Sequence, residues 1–428
     1  MALEHKFDVV VVGAGPAGAT AAYKLAEAGF KTLLVERGRG AGSKQVFGGR
    51  IYAGPLREIF PDLEKAPIHR WVIKEKVSVV ADGRMIGVEY ETPERHSFTT
   101  YLTEFTSWIV DKAVQAGAVF VDEVRVDRLL VEDGRVVGIE SGGDRIYADV
   151  VVDAEGVNRL LLEQLGLVER LEPSQVALGV KEVIKIGEDK VEERFGLGKG
   201  EGLAWVLVGE VTGYLPGGAF VYTNRDSVSV GIVVYLGKAV ELAKEDVTTT
   251  VEKLRLHPLL RRYWGDGDII EYSAHLTIES PLRFMPKKLA TDGLVIVGDA
   301  AGLLLNVGYT FRGVDYAAYS GYLAAKAIEE AHREGSYSEE VLRRAYEERL
   351  KNSFIFRDLK KHRGAEEAMR MPELFSRYAK VGVDLARKLF ELDREVPGVM
   401  EALLSSLHEN GLGLIGALIT LYRVVRRL

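Results

Sequence analysis

One stretch, Phe7 to Glu36 (FDVVVVGAGPAGATAAYKLAEAGFKTLLVE), limits what this chain can fold into more than any other. Val9 to Val12 is an apolar run of strand length, short enough to be buried on both faces. Gly13, Gly15 and Gly18 follow as a glycine turn around Pro16 and Ala17. Ala17 to Ala28 is built from strong helix formers and stops at Gly29. Lys31 to Val35 is a second apolar strand, with Glu36 at its end. Strand, glycine turn, helix, strand and acid in this order predict a βαβ unit that holds a dinucleotide. Gly13 permits the tight turn, Gly15 lets the backbone approach a pyrophosphate, and Gly18 lets helix and strand pack closely. The helix N-terminus offers free N–H groups and a positive dipole end to the phosphates. Glu36 is placed to accept hydrogen bonds from ribose hydroxyls, which leaves little room for a 2′-phosphate. The plain alternative is a glycine turn that binds nothing. Gly411, Gly413 and Gly416 repeat the spelling with no strand before them and no acid after, and read as chance.

A chain of 428 residues is long enough for two or three domains and a large core. With 47% apolar and 28% charged residues it has ordinary globular composition. A net charge of −7 argues against nucleic acid as a partner. From Lys351 onward 14 basic side chains face 10 acidic ones, so this end carries +4 and the rest −11. A basic end on an acidic protein suggests an anionic membrane surface or an acidic partner, with solvated helix faces as the plain alternative. The absence of cysteine removes disulfides, thiolate nucleophiles and cysteine-ligated iron–sulfur clusters. There is no signal-peptide pattern, and no apolar run approaches the ~20 residues of a membrane span. The expected location is the cytoplasm.

Further along, Arg37 to Arg50 is a long, glycine-rich, basic connection containing Gly48 and Gly49, and loops of that length tend to be functional. Trp71 to Tyr90 alternates like strands around the turn Asp82-Gly83, and Thr99 to Ala116 reads as an amphipathic helix closed by Gly117. Val119 to Val121, Val124 to Val131 and Arg135 to Glu140 form a strand meander, and Tyr147 to Val152 is another buried strand leading into Asp153-Ala154-Glu155-Gly156 and a short helix. From about Val176 to Thr277 the pattern is mostly β, with one helical interruption near Lys238 to Leu256. Leu294 to Val297 returns to a buried strand, followed by Gly298-Asp299 and an expected helix; Arg312 to Glu334 is a long helix, and everything from Glu339 reads helical. A βαβ start, a separate sheet region and a late strand ending in Gly-Asp predict a nucleotide domain assembled from distant segments. The fold class is α/β: residues 1–165 and 285–335 form the nucleotide domain, 68–98 joins the sheet domain of 166–284, and 336–428 is a helical C-terminal region.

The opening glycine motif, Asp153 to Gly156, and Gly298-Asp299-Ala300-Ala301-Gly302 together resemble the FAD signature of the glutathione-reductase-type, Rossmann-like flavoprotein fold, in its hydroxylase-like branch. Four further stretches narrow the resemblance. They are KQVFGGRIYAGPLREIFP from Lys44 to Pro61, GGAFVYTNRDSVSVGI from Gly217 to Ile232, Tyr272-Ser273-Ala274-His275 leading towards Met285-Pro286, and GYTFRGVDYAAYSG from Gly308 to Gly321. These resemble the FixC-type members of the electron-transfer-flavoprotein:quinone oxidoreductase family, over most of Phe7 to about Ala331. The resemblance implies FAD as cofactor and three partners: an electron transfer flavoprotein heterodimer, a separate ferredoxin-like iron–sulfur subunit, and a quinone, menaquinone or ubiquinone. Larger family members carry a cysteine-ligated 4Fe–4S domain, which a chain without cysteine does not hold. Two departures stand out. Thr100-Tyr101-Leu102 occupies a place where the family often has an FAD-phosphate arginine, leaving Arg37 or Arg50 as substitutes. Glu279-Ser280-Pro281 replaces a Glu-Gly-Gly.

From the resemblance, a flavin ring is expected where the first helix, Gly48-Gly49 and the segment Gly298 to Arg312 meet, with Gly308 and Gly156 giving the backbone close approach. Val124 is counted among the FAD contacts. Asp299 accepts from ribityl hydroxyls in this reading, with a helix N-cap as its plain role. The helix after Gly298-Asp299 aims its dipole at the pyrimidine edge of the ring. Arg312 is a cofactor contact in this reading, with a surface or phosphate-facing cation as its plain alternative. The cofactor carries the electrons, so no catalytic triad is expected. Tyr309, Phe311, Tyr272 and His275 are the quinone-pocket candidates, with core packing as the alternative for each. Leu412 to Tyr422 is an apolar run of 11 residues followed by Arg423, Arg426 and Arg427, suited to lie in a membrane interface on the inner face of the cell membrane. Its alternative is a helix packed on its own domain. Competing activities are a geranylgeranyl-reductase-like enzyme that saturates isoprenoid double bonds, a flavin monooxygenase or halogenase, and a docking subunit without turnover.

Overall fold

The computed structural model describes residues 5–43, 48–279, 281–392 and 394–428. Five strands run parallel at the heart of the first sheet, in the order Leu294–Ile296, Asp144–Asp153, His5–Val12, Thr32–Val35 and Val119–Val121. Val9, Val10 and Val11 are wholly buried, as a continuous apolar run in a parallel sheet must be. In register, Val12 stands opposite both Val35 and Asp153, and Asp153 opposite Ile296. Their carboxyl ends therefore open onto one edge, where Gly13, Glu36, Ala154 and Val297 follow. That is where a doubly wound sheet binds its ligand.

The opening helix, Pro16–Glu27, has Gly15 as N-cap and Pro16 in its first turn, where a missing N–H costs nothing. It packs against the long helix Val314–Arg333. A Cβ on Gly321 would sit 2.1 Å from the Ala17 carbonyl oxygen, so this crossing requires glycine. Sequence order gives no hint of the contact, because some 300 residues separate the partners.

The second sheet has nine strands, ordered Asp268–Ile278, Val176–Lys185, Ser227–Tyr235, Gly217–Thr223, Glu201–Gly209, Arg70–Ala81, Ser97–Tyr101 and Gly48–Tyr52, with Arg84–Glu91 paired to Arg70–Ala81. All its pairings are antiparallel except Glu201–Gly209 with Arg70–Ala81. Besides residues 68–98, Gly48–Tyr52 also joins this sheet.

Several elements differ from the sequence expectation. Ser97–Tyr101 is strand, and the helix begins only at Leu102, because threonines 99 and 100 are buried β-branched partners of Arg50 and Gly49. The strand expected from Val124 starts at Arg128. The interruption near Lys238 is two helices, Leu236–Leu242 and Val247–Leu256, the second capped by Asp246. The helix expected after Gly298-Asp299 is a single 3₁₀ turn ended by Gly302 at φ +74°, and the long helix begins at Val314 rather than Arg312. The C-terminal residues are helical; Arg377–Phe390 packs on the strands Arg70–Ala81 and Arg84–Glu91.

Candidate functional site: a cleft between the two sheets

Gly13 has φ +99°, and a Cβ there would lie 2.4 Å from the Ala154 carbonyl oxygen. A Cβ on Gly18 would lie 1.9 Å from the Gly13 oxygen. The glycine loop is therefore pressed flat against the Asp153 to Gly156 segment. Glu36 is buried and holds the loop from the other side. Its Oε2 accepts the Ala14 N–H at 2.9 Å and its Oε1 the Gly38 N–H at 2.7 Å. These bonds leave lone pairs for a further donor.

Gly13, Gly15, Glu36, Arg37, Val124 and Gly156 line a cavity of ≈ 440 Å³. A second cavity of ≈ 240 Å³ shares Gly15, Gly156, His275 and Asp299 with the first, so the two adjoin. Pro16, Ala17, Gly298, Gly308 and Phe311 lie on its walls. Gly313 and Val314 line it too, so the helix N-terminus at this cavity is that of the long helix, not of one after Asp299. An elongated, two-chambered cleft with a glycine cradle at the joint and carboxylates at 36 and 299 fits a dinucleotide. Gly156, at φ +80°, has open space where a Cβ would stand.

Burial pushes the Asp299 carboxyl up and the His275 imidazole down; each is partly held charged by the other, and Arg159 adds to the pull on Asp299. Asp153 and Glu155 serve the loop itself. Asp153 accepts the Glu155 N–H at 3.1 Å, and Glu155 takes the Leu161 and Leu162 N–H groups at 3.0 and 3.2 Å. Arg159 was not anticipated, although it follows Asp153 to Gly156 by three residues. It is buried at φ +52°, gives one N–H to the Phe284 oxygen at 2.5 Å, and keeps its Nε and Nη2 without partners. Burial pulls it down to about 10 against the carboxylates of Asp299, Glu155 and Asp153.

Six expected contacts lie off the walls of both cavities. Tyr272 is 48% exposed on the sheet-edge strand, its hydroxyl 3.4 Å from Thr248 Oγ1, and Tyr309 is 53% exposed at the tip of a short hairpin. Neither lines either of the two cavities. Arg312 is tied down by Asp315, at 2.9 and 2.5 Å, and by Asp358 at 3.0 Å, and stacks on Tyr52 and Tyr316. Arg50 is buried, paired with Glu75, and stacks on Tyr52, away from the glycine loop. Gly48 and Gly49 are strand residues opposite Tyr101 and Thr100. Lys44 to Phe47, the start of one motif, lie outside the described residues.

Beyond the joint, the second cavity runs on between the sheets over Val180, Val206, Val208, Ala219, Phe220 and Val233. Lys181, Tyr222, Tyr235, Thr277 and Asn306 bring polar atoms to it. Met369, from the C-terminal helical region, closes it: its sulfur and methyl lie where a Cβ on Gly308 would point, at 2.8 and 2.7 Å. None of Lys181, Tyr235 or Met369 was foreseen, since each belongs to an unremarkable stretch.

The family described as FAD dependent oxidoreductase matches residues 8–89 and 94–327. A probable electron transfer flavoprotein-quinone oxidoreductase of Escherichia coli, YdiS, is 37% identical over 421 residues, covering 97% of each chain. Protein FixC of Escherichia coli is 37% identical over 403 residues, covering 93% of each. Among solved structures, a geranylgeranyl bacteriochlorophyll reductase-like protein from Thermoplasma acidophilum has a TM-score of 0.74 at 20% identity, over 98% of this chain and 100% of that one. The flavin-dependent brominase Bmp2 has a TM-score of 0.60 at 16% identity, over 98% and 94%. Both structures share the fold. With a dinucleotide cleft in place and relatives matched end to end, the chain is an FAD-dependent oxidoreductase with an electron-transfer role, and it belongs to the FixC-type branch of the electron transfer flavoprotein-quinone oxidoreductase family.

Proposed function

We propose that this protein passes electrons between an electron transfer flavoprotein heterodimer and a membrane quinone. The observation that carries the reading is the apolar cavity that continues from the cofactor cleft into the second sheet. FAD supplies reversible two-electron chemistry when bound. The chain's own part is to hold and orient. Glu36 and Asp299 accept from sugar hydroxyls, and the Gly13 to Gly18 loop receives the pyrophosphate. Val180, Val206, Phe220 and Val233 keep water from the quinone ring, with Phe311 and His275 on the cofactor side. With no cysteine in the chain, iron–sulfur chemistry in the same assembly falls to a separate ferredoxin-like subunit.

A quinone dissolved in lipid must be met at the bilayer. The C-terminal helix Leu414–Arg427 buries none of its residues; Ile415, Tyr422 and Val425 are 75%, 65% and 66% exposed, beside Arg423, Arg426 and Arg427. Among the described residues no single helix is long and apolar enough to cross a membrane, and Val399–Glu409 with Leu414–Arg427 passes the test only as a pair bent by 89°. We assign the last helix to the interface, apolar side chains in the lipid and arginines on the headgroups of the inner leaflet. A chain ending at Asn410 should no longer pellet with anionic liposomes, and pelleting unchanged would remove the helix as anchor. The electron-transfer reading is tested by mixing the anaerobic protein with a menaquinol analogue and following flavin absorbance. An isoprenoid-reducing activity has the fold likeness and the apolar lining on its side; it predicts a flavin indifferent to quinols.

A further inference from the structure

The far end of the second cavity differs from its walls. Tyr235 and Thr277 line this end, and the Tyr235 hydroxyl and Thr277 Oγ1 are buried without hydrogen-bond partners in geometric reach. Directly behind, the Glu279 carboxyl is buried beside the Tyr235 hydroxyl and the Asn306 amide. A buried polar atom left unpaired is costly. Two such hydroxyls at one end of the cavity, with the Glu279 carboxyl behind them, mark a place built for a ligand's polar group. Glu279 also has a path outward. The groups facing it are Tyr235, from strand Ser227–Tyr235, and Arg370 and Glu366, from the C-terminal region. Arg370 and Glu366 pair at 2.7 Å and are partly open to solvent, and the Arg370 guanidinium lies 5.5 Å from the Tyr235 ring centre. Arg283 stands next to Glu366.

We propose that this cluster is the proton-delivering end of the quinone cavity: Tyr235 donates its hydroxyl hydrogen to a quinone oxygen, and Glu279 behind it restores that proton. The inference rests on the quinone reading above. Two electrons and two protons convert a quinone to a quinol. Both electrons come from the reduced cofactor and one proton accompanies them; the second must come from the protein. As the quinone oxygen gains its hydrogen, the Tyr235 O–H bond breaks and the Glu279 O–H bond breaks to re-form it. The Glu279 carboxylate then takes a proton from solvent past Glu366 and Arg370. Run backwards, the same path removes a proton from a quinol. Burial supports the assignment, since it pushes Glu279 up to about 8 and leaves it a neutral acid at pH 7.

The test uses the FAD-loaded, full-length protein and its Glu279→Gln and Tyr235→Phe variants. Each is reduced with dithionite and mixed anaerobically with a water-soluble menaquinone analogue between pH 6 and pH 9. The expected result is full flavin content in both variants, with reoxidation slowed on the order of a hundredfold. The wild-type rate falls as pH rises through about 8, and the Glu279→Gln rate is flat there. Infrared spectroscopy of the wild type at pH 7 shows a protonated-carboxyl band that shifts in D₂O and is missing from Glu279→Gln. Wild-type rates and an unchanged pH profile in both variants would overturn the proposal, as would an ionised Glu279 at pH 6. A wild type inert to every quinone analogue overturns the quinone reading itself, and this inference with it. Tyr235→Phe keeps the kinetic test decisive should Glu279→Gln fold poorly.

Discussion

The two chambers of the cleft are built on opposite plans. The cofactor chamber is built around the contiguous βαβ unit, with the segment after Asp153, His275 and Asp299 added from afar, and its Glu36 and Glu155 carboxylates each hold two backbone N–H groups. The far chamber is assembled from residues 181, 222, 235, 277, 306 and 369, and its polar atoms stand unpartnered at one end. A chamber that holds one ligand permanently gains from being rigid and satisfied. A chamber through which a substrate comes and goes must leave its hydrogen bonds open and tolerate the cost.

The sharpest way to break this contrast is in the cradle. Gly18→Val places side-chain atoms where only 1.9 Å is free, and should abolish flavin retention. The ratio of flavin to protein absorbance after purification reports it, and a retained flavin would mean the loop is not the cradle. In the far chamber, Met369→Trp should fill the space beyond Gly308. Flavin content should stay at wild type, while quinone-coupled reoxidation falls by at least about tenfold; loss of flavin instead would merge the two chambers into one site. Asp299→Ala sits at the joint and should weaken FAD by about 1.5–3 kcal/mol, the worth of a hydrogen bond to a charged group, read as a raised dissociation constant on cofactor titration.

Smaller effects sharpen the difference in polar satisfaction. Glu279 is held near 8 in the folded protein against the ordinary carboxyl value near 4.5. The unfolded chain therefore gives up this proton first, and stability falls as pH rises between those values, at about 1.4 kcal/mol per unit at most. Glu279→Gln removes that loss. Its melting temperature should exceed wild type at pH 8 to 9, and the gap should close near pH 4; a variant equally unstable at every pH would show a packing role only. Smallest of all, Tyr272→Phe and Tyr309→Ala should leave both flavin content and quinone-coupled rates unchanged, because both side chains are exposed and line neither cavity.

How much could be read in advance follows the same division. The βαβ unit, Glu36 and the Gly298-Asp299 strand end were legible because glycine spacing and apolar runs act locally. The segment after Asp299 read as helix because Ala300, Ala301 and Leu303 to Leu305 are good helix formers; the packing of Gly298 against Ala17, where a Cβ would stand 2.8 Å from that methyl, and Gly302 at positive φ turn the chain instead. Arg50 reads as a phosphate contact and Arg312 as a cofactor contact because a cation in a glycine-rich segment is a fair sign of one. Their carboxylate partners, Glu75, Asp315 and Asp358, and the Tyr52 ring between them are set by tertiary contacts that spacing does not encode. Tyr235, Glu279 and Met369 meet only because two sheet strands and a C-terminal helix converge on one cavity.

The most direct measurement is an anaerobic titration of the purified protein with a menaquinol analogue, monitored through the visible flavin band. The account predicts that quinol bleaches the oxidised band and that added quinone restores it, with Met369→Trp blunting both changes at full flavin content. A bound flavin that responds to no quinol or quinone analogue would contradict it.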